Sequence, residues 1–429
     1  MLSLHTLAIT AVITLLMHSS AGFAAEDLLS LDAAETLALK NHPELSARSA
    51  LVDAARAGAA SSDALPDPQL KFGVQNLPVD SLALNREGMS MTTVGIAQMF
   101  PPPGQRTQLR NSADQETSAA TAEASEARAR IRRDVRRAWL DMFYLDRALA
   151  TNSEDRSFVT QMTAAETARY RVGAAEQSAV LKSALEGDTM LDEQEELAAQ
   201  RDAAVSRLAR LLGSEATTLN IPAQLPALPA PPTASALLQG LAAHPQIRAL
   251  EATRSAAGYQ TAAARRAYYP EFGVEAMYGY RTAREADGAK LPDMLSAQVV
   301  MSVPLFPEKR QDARLQERAA RELAARYQRD DALLELRAQV TARLAEHQRL
   351  QARLDLLEHS RLPKAGQAVQ VALAAYKTNR LPLAELLDVL HMRHKYALIQ
   401  WRLKTDLSLN LADIDYFAST TTEASDASH

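Results

Sequence analysis

The chain has 429 residues, with 15 glycines, 5% aromatics, no cysteine and a net charge of −5. The lack of cysteine excludes disulfides, thiolate metal sites, thiol catalysis and a lipid on an N-terminal Cys, and the slightly negative balance argues against a general nucleic-acid binder, whose contact face is basic. Long stretches filled with Ala, Leu, Glu, Gln and Arg point to extended or coiled helices. In chain order, residues 7–17 form an apolar run of signal-peptide length, and Gly22 and Ala24 supply small residues before a cleavage after Ala24 or Ala25. Residues 1–24 therefore read as an export signal. No later stretch reaches the roughly 18 consecutive apolar residues of a membrane-spanning helix.

Short helices are expected at 31–40 and 43–62. Leu70, Phe72 and Val74 alternate with Gln69, Lys71, Gly73 and Gln75, and this period of two predicts a strand over about 69–77. A return strand is expected over about 90–98, beyond a polar loop at 78–88. Its alternation is too poor to say which side faces out. Runs of this length suit a tilted strand crossing an outer membrane, with the apolar side on lipid and Gln69, Lys71 and Gln75 on a watery lumen. A half-buried strand of a soluble sheet gives the same pattern. A long helix follows over about 104–169. Ile131, Val135, Ala138, Met142, Leu145 and Leu149 are spaced alternately by four and three, the seam of a coiled coil. Such a helix extends roughly 100 Å at about 1.5 Å per residue. Tyr170-Arg171-Val172-Gly173 then turns the chain into a returning helix at 174–212.

After this the chain repeats itself. Asn41-His42-Pro43-Glu44-Leu45 returns as Ala243-His244-Pro245-Gln246-Ile247, and Asp67-Pro68-Gln69-Leu70 as Tyr269-Pro270-Glu271-Phe272, both 202 residues later. Gly104-Gln105-Arg106 matches Glu308-Lys309-Arg310 at 204, and Tyr170-Arg171-Val172-Gly173 matches Tyr376-Lys377-Thr378-Asn379 at 206. The small, steady drift is the mark of an internal duplication. It divides the chain into a first repeat at 25–213, a Pro-rich linker at 214–233, a second repeat at 234–415 and a flexible tail at 416–429. The second repeat is expected to have a short helix at 234–243, strands at about 271–280 and 296–303, and a long helix at about 310–375. Glu271 and Glu275 take the polar side of the first of these strands.

These features, in this order, resemble the TolC family of outer-membrane efflux proteins. The resemblance rests on the Asn41–Leu45 motif, on Pro68 and Pro270 opening strands, and on Pro-x-x-Gly-x-Arg at 101–106. It also rests on Val303-Pro304-Leu305-Phe306 ahead of Lys309-Arg310, and on Tyr-x-x-Gly at 170–173. It implies a mainly α fold with a membrane β part: a homotrimer in which each chain gives four strands to one twelve-stranded barrel in outer-membrane lipid, continued by a helical tunnel across the periplasm. It also implies a periplasmic adaptor and an inner-membrane RND-type pump as partners. An open strand edge in lipid is forbidden, so four strands per chain agree with closure by further copies. Gln75-Asn76-Leu77-Pro78 and Gln98-Met99-Phe100-Pro101 look most like the outer components of heavy-metal pumps; a duct for drugs or other organic compounds is the alternative. A periplasmic adaptor with a coiled-coil hairpin fits less well, because two strand pairs and a full-length duplication are not expected of it. Asn379 departs from the family pattern, standing where the second Tyr-x-x-Gly would end, although Asn tolerates the left-handed conformation.

No P-loop, Gly-x-Gly-x-x-Gly, His-Glu-x-x-His or Gly-x-Ser-x-Gly motif occurs, so no catalytic residue and no cofactor is assigned. Tyr170, Arg171, Val172 and Gly173, with Tyr376, Asn379 and Arg380, are expected at the two helical tips that meet the adaptor. Glu385 and Asp388 lie at i, i+3 on one helix face, and by resemblance match the acidic constriction of the tunnel. Ala179 and Lys182 hold the equivalent places in the first repeat, and either Arg380 or Arg393 could hold a closed state. His391 and His394, also at i, i+3, are a weak metal pair without a third ligand fixed in sequence. Met89, Met91 and Met99 read as lipid-facing or gap-filling rather than as thioether ligands.

Overall fold

The computed structural model describes residues 28–213 and 220–419. The expected signal segment, the start of the linker and most of the expected tail lie outside the described residues. In chain order the first half comprises helices α1 (Leu31–Asn41) and α2 (Pro43–Ser61), strands β1 (Gln69–Gln75) and β2 (Met91–Phe100), and helices α3 (Gln105–Arg171) and α4 (Gln177–Leu212). The second half follows the same order: α5 (Ala234–Gly240), α6 (Pro245–Arg266), β3 (Glu271–Tyr280), β4 (Met294–Ser302), α7 (Ala313–Leu356), α8 (Leu362–Lys377) and α9 (Leu383–Ala418). Among the described residues, no helix is long and apolar enough to cross a membrane.

Local chemistry explains most boundaries. The Oγ of Ser30 accepts from the Ala33 amide at 3.2 Å at the start of α1, and Thr233 does the same for Ala236 at the start of α5. These side chains satisfy amides that have no partner inside the helix. At α6 the His244 imidazole accepts from the Gln246 amide at 3.3 Å, and Pro245 fills a first-turn position that needs no N–H. Pro68 and Pro270 stand immediately before β1 and β3. With no Gly or Pro in its interior, α3 runs unbroken for 67 residues.

Its counterpart is not one regular helix. Widened π-helical turns at Glu308–Asp312 and Leu357–Arg361 bracket α7. Pro363 follows the second, and its missing N–H and bulky ring prevent the ordinary hydrogen-bond ladder from continuing. The helix α9 also continues past the expected end of the second repeat at 415. Tyr416 and Phe417 are buried, so apolar packing draws these residues of the expected tail into the fold.

The described chain divides into two compact units, and neither coincides with a repeat. One unit takes the chain up to His42 together with Ile131–Pro231 and Ala345–Asp413. Here Trp139 stacks on Phe143 with ring centroids 5.9 Å apart and donates its indole N–H to the Leu29 carbonyl at 2.9 Å. A cluster of Val159, Met190, Leu383, Leu386 and Leu387 packs α3, α4 and α9 together, and Arg137 grips Asp413 with two hydrogen bonds of 2.8 and 2.7 Å.

The other unit takes Pro43–Arg130, Pro232–Leu344 and the chain from Ile414. Leu241, Ile247, Leu336, Val340, Ile414 and Phe417 form its helical core. His244 is fully buried; its ring lies edge-on to Tyr416 at 5.0 Å and its Nε2 donates to the Tyr416 carbonyl at 3.2 Å. Burial lowers the His244 pKa, with the Tyr416 carbonyl acting in the opposite sense. This unit also holds an antiparallel four-stranded sheet in the order β1-β2-β3-β4, which joins the strand pairs of both repeats through β2 and β3.

Candidate functional site

Register settles the facing that the return strands left open. Gln69 pairs with Ala97, Ala97 with Glu275 and Glu275 with Gln298, so these four side chains share one face. Lys71, Gly95, Met277 and Ser296 form the next row of that face. Gln75 pairs with Met91, and Glu271 with Ser302, on the same side. All five residues expected on the polar side of the strands thus lie on one face. Lys71 donates to Glu275 at 2.5 Å across β2, where Gly95 and Ala97 leave room, and Gln298 donates to the same carboxylate at 3.2 Å.

The opposite face carries Leu70, Phe72, Val74, Val94, Ile96, Val274, Tyr278, Leu295 and Val299, all exposed, Phe72 by 74% and Leu295 by 80%. An apolar surface of this extent, bare in a single chain, needs a nonaqueous neighbour. Strands β1 and β4 each have one unpaired edge.

The two predicted turns share one geometry. Gly173 donates to the Tyr170 carbonyl at 2.9 Å and Ala174 to Arg169 at 2.8 Å; 206 residues on, Asn379 donates to Tyr376 at 3.0 Å and Arg380 to Ala375 at 2.8 Å. Gly173 (φ 73°) and Asn379 (φ 56°) both adopt the left-handed conformation that ends a helix with this pair of bonds. Asn at the Gly position therefore keeps the turn, and its side chain adds something Gly lacks: Arg169 donates to its Oδ1 at 2.6 Å. Arg169 also lies over the Tyr376 ring at 5.4 Å, and the Tyr376 hydroxyl donates to the buried Glu166. The two turns are thus tied to each other. Beside them opens a cleft lined by Glu166, Arg169, Lys182, Asn379, Arg380 and Pro382. Tyr170 is 44% and Val172 79% exposed, whereas Tyr376 is buried.

Glu385 and Asp388 are exposed on one side of α9, opposite Leu383, Leu386, Leu387 and Leu390, which point into the core. Asp388 has Lys182 at 3.8 Å, so the lysine at its repeat-equivalent position has become its partner. His391 and His394 diverge. His391 is exposed and lies 3.4 Å from Glu186, while buried His394 meets Asp155 at 2.8 Å and Glu193 at 3.2 Å. Arg393 also donates to Asp155, and Asn152 to Glu193 at 3.0 Å. Among the described residues no group of three or more His, Asp or Glu could hold a metal ion. Burial alone would lower the His394 pKa, but the bond to Asp155 and the charges of Glu193 and Asp155 outweigh it and raise the pKa.

The sequence reading missed Asn152, Asp155 and Glu166, although a signal for them exists. The buried stripe of α3 runs through Ile131, Val135, Ala138, Met142 and Leu145, then takes Ala148 instead of the expected Leu149. After that three-residue step it resumes the four-three spacing at Asn152, Asp155, Val159, Met162 and Glu166. Extending the seam with this shift places three polar side chains at buried positions. Polar groups there specify which helix faces which, because each needs its own partner.

A model of the outer membrane efflux protein family matches residues 36–214 and 237–388. No curated protein matches the sequence. Among solved structures, a membrane protein of Pseudomonas aeruginosa is similar at 22% identity and a TM-score of 0.78, over 91% of this chain and 90% of that one. The outer membrane protein VceC of Vibrio cholerae is similar at 19% identity and a TM-score of 0.77, over 91% and 96%. CusC, whose structures concern transmembrane channel formation, is similar at 18% identity and a TM-score of 0.75, over 91% and 92%. At these identities the solved structures carry the fold, and the family match carries the assignment. With its polar-and-apolar sheet, its long paired helices and a match over both repeats, the chain belongs to the outer membrane efflux protein family: it is an outer-membrane efflux channel and not an enzyme.

Proposed function

We propose that this channel is the passive outer duct of a tripartite system that expels heavy-metal cations, working as a homotrimer with a periplasmic adaptor and an inner-membrane RND-type pump. The observation that carries the trimer is the sheet. Its edges are open, its outer face is apolar and its other face carries Gln69, Lys71, Gln75, Glu271 and Glu275. Backbone groups at an edge cannot be left unpaired in lipid. Three copies of four strands would close a twelve-stranded barrel with the charged face on a watery lumen. Isolated from outer membranes in mild detergent, the protein should run as a trimer; a monodisperse monomer soluble without detergent would end this reading.

The paired turns and the cleft beside them are the adaptor's docking surface in this scheme. Glu385 and Asp388, repeated by three-fold symmetry, form an acidic constriction that attracts cations. The metal substrate is supported by Gln75-Asn76-Leu77-Pro78 and Gln98-Met99-Phe100-Pro101, which resemble outer components of heavy-metal pumps. Deleting the gene should sensitise cells to copper, silver, zinc or cobalt. Unchanged metal tolerance with lost tolerance of dyes or antibiotics would assign the duct to organic substrates.

A further inference from the structure

The duplication supplies a template for a surface that one chain leaves bare. In each repeat the short helix lies along its own long helix: Arg48 of α2 donates to Glu123 of α3 at 2.7 Å, and Glu251 of α6 stands 3.3 Å from Arg329 of α7. Helix α6 also has a second long neighbour, which comes from the other repeat. Ser112 of α3 donates to the Ala256 carbonyl at 3.2 Å, and Gln260 donates to Glu116 at 3.0 Å. Ala249, Ala252 and Ala263 share the helix face of Ala256, and all four are buried. Their counterparts in α2, 202 residues earlier, are Ala47, Ala50, Ala54 and Ser61, and these are exposed. A Cβ on Gly58, the counterpart of Gln260, would meet nothing within 4 Å. Within one chain this face of α2 stays open.

The neighbour that α2 lacks corresponds to α7, which stands in the second repeat where α3 stands in the first. Ser112 and Glu116, with buried Ala119 on the same face, become Gln316, Ala320 and Leu323 204 residues on, all exposed. Tyr327 and Leu334 extend this row, and its steps of four, three, four and seven residues are those of a coiled-coil seam. Leu323 is 48%, Tyr327 62% and Leu334 63% exposed. Large side chains opposite Ala, Gly and Ser let two helices interdigitate closely. Helix α2 leads into β1 and α7 follows β4, the two edge strands, so the open faces flank opposite edges of the sheet. We propose that this face of α7 packs on the Ala47–Ser61 face of α2 in a second copy of the chain, repeating between copies the contact that α3 makes with α6 inside one. The interface rests on the homotrimer reading and names the helices that join its copies.

The sequence contains no cysteine, so introduced pairs report without background. The α3–α6 contact places Gln316 beside Ala54, and Ala320 beside Gly58, of the next copy. In outer membranes, oxidising Ala54→Cys/Gln316→Cys should give disulfide-linked dimers and trimers on a denaturing gel. A short bismaleimide should do the same for Gly58→Cys/Ala320→Cys. The four single variants should stay monomeric on that gel. So should Arg56→Cys/Gln316→Cys, because exposed Arg56 lies about 200° around α2 from Ala54. Without any cysteine, Leu323→Ala/Leu334→Ala should lose its trimer at a lower detergent concentration than wild type, since both side chains are exposed in the single chain. If neither pair links in a protein that still runs as a native trimer, the interface is overturned and the duct reading stands. A link to a different protein gives the face another occupant and also overturns the interface. A protein that never forms a trimer overturns both readings.

Discussion

Buried His394 has two groups that favour its charged form, Asp155 and Glu193, which bond to its two nitrogens. Because its folded pKa is raised, its contribution is fully present below the unfolded value of about 6.5 and is lost as pH rises through the folded value. His244 has the opposite sign. Its pKa is lowered by burial, so its contribution is present above about 6.5 and is lost as pH falls through the folded value. His394→Gln should therefore flatten the alkaline limb of a plot of Tm against pH while leaving the acid limb, and His244→Asn should do the reverse. His394→Leu should also cost about 1–3 kcal/mol, because it leaves Asp155 and Glu193 without their shared donor. If Glu385 and Asp388 form the proposed constriction, planar-bilayer recordings should show weaker cation preference and weaker block by multivalent cations for Glu385→Gln/Asp388→Asn. Selectivity and block both unchanged would place the two carboxylates on an ordinary solvated face.

Turns and strands carry different tolerances. Asn379 holds a left-handed conformation, which costs a branched residue about 1–2 kcal/mol. Asn379→Val should be destabilised in thermal melts by that strain plus the lost Arg169 bond, whereas Asn379→Gly should keep the turn and lose only the bond, about 0.5–1.5 kcal/mol. Cysteines at Val172 or Thr378 should crosslink to the adaptor in cells. Crosslinks appearing only from loop sites such as Asp80 or Asp287 would invert the orientation. In the sheet, a Cβ on Gly95 would come within 2.9 Å of the Ala276 carbonyl on the paired strand. Backbone cannot give way as a side chain does, so Gly95→Val should lower the yield of assembled trimer, while Thr92→Val on the opposite face should not.

At the scale of the molecule, the duplication and the compact units do not coincide. Each repeat sends its strands and α2 or α6 into one unit and the far parts of its long helices into the other. Two of the buried clusters draw on both repeats, so the first repeat completes neither by itself, whereas Leu350, Leu357 and Leu403 pack together within the second. Leu241, Ile247, Leu336 and Ile414 come from the second repeat, but Ala129 of the first closes their cluster, and Val159, Met162 and Met190 of the first meet Leu383 and Leu386 of the second. Expressed alone, residues 25–213 should therefore fail to give a cooperative melting transition. A sharp transition from that fragment would mean that a repeat is a self-sufficient folding unit.

What the sequence determined by itself is whatever repeats over a few residues or over the whole chain. The period of two in β1 and β3, the unbroken helix α3, the turns at Tyr170 and Tyr376 and the duplication depend only on local backbone preference and on matching one half with the other. The facing of β2 and β4 was decided by register, since Ala97, Gly95 and Ser296 acquire a side only through the strands they pair with. Tertiary packing also shifted the α3 seam by one step, from Leu149 to Ala148, and recruited Tyr416 and Phe417 into a core. It joined His394 to Asp155 and Glu193, and Tyr376 to Glu166, across 239, 201 and 210 residues. Nothing in either neighbourhood announces such a pair, because a buried charge finds its partner through the helix that happens to lie beside it, not through the residues that precede it in the chain.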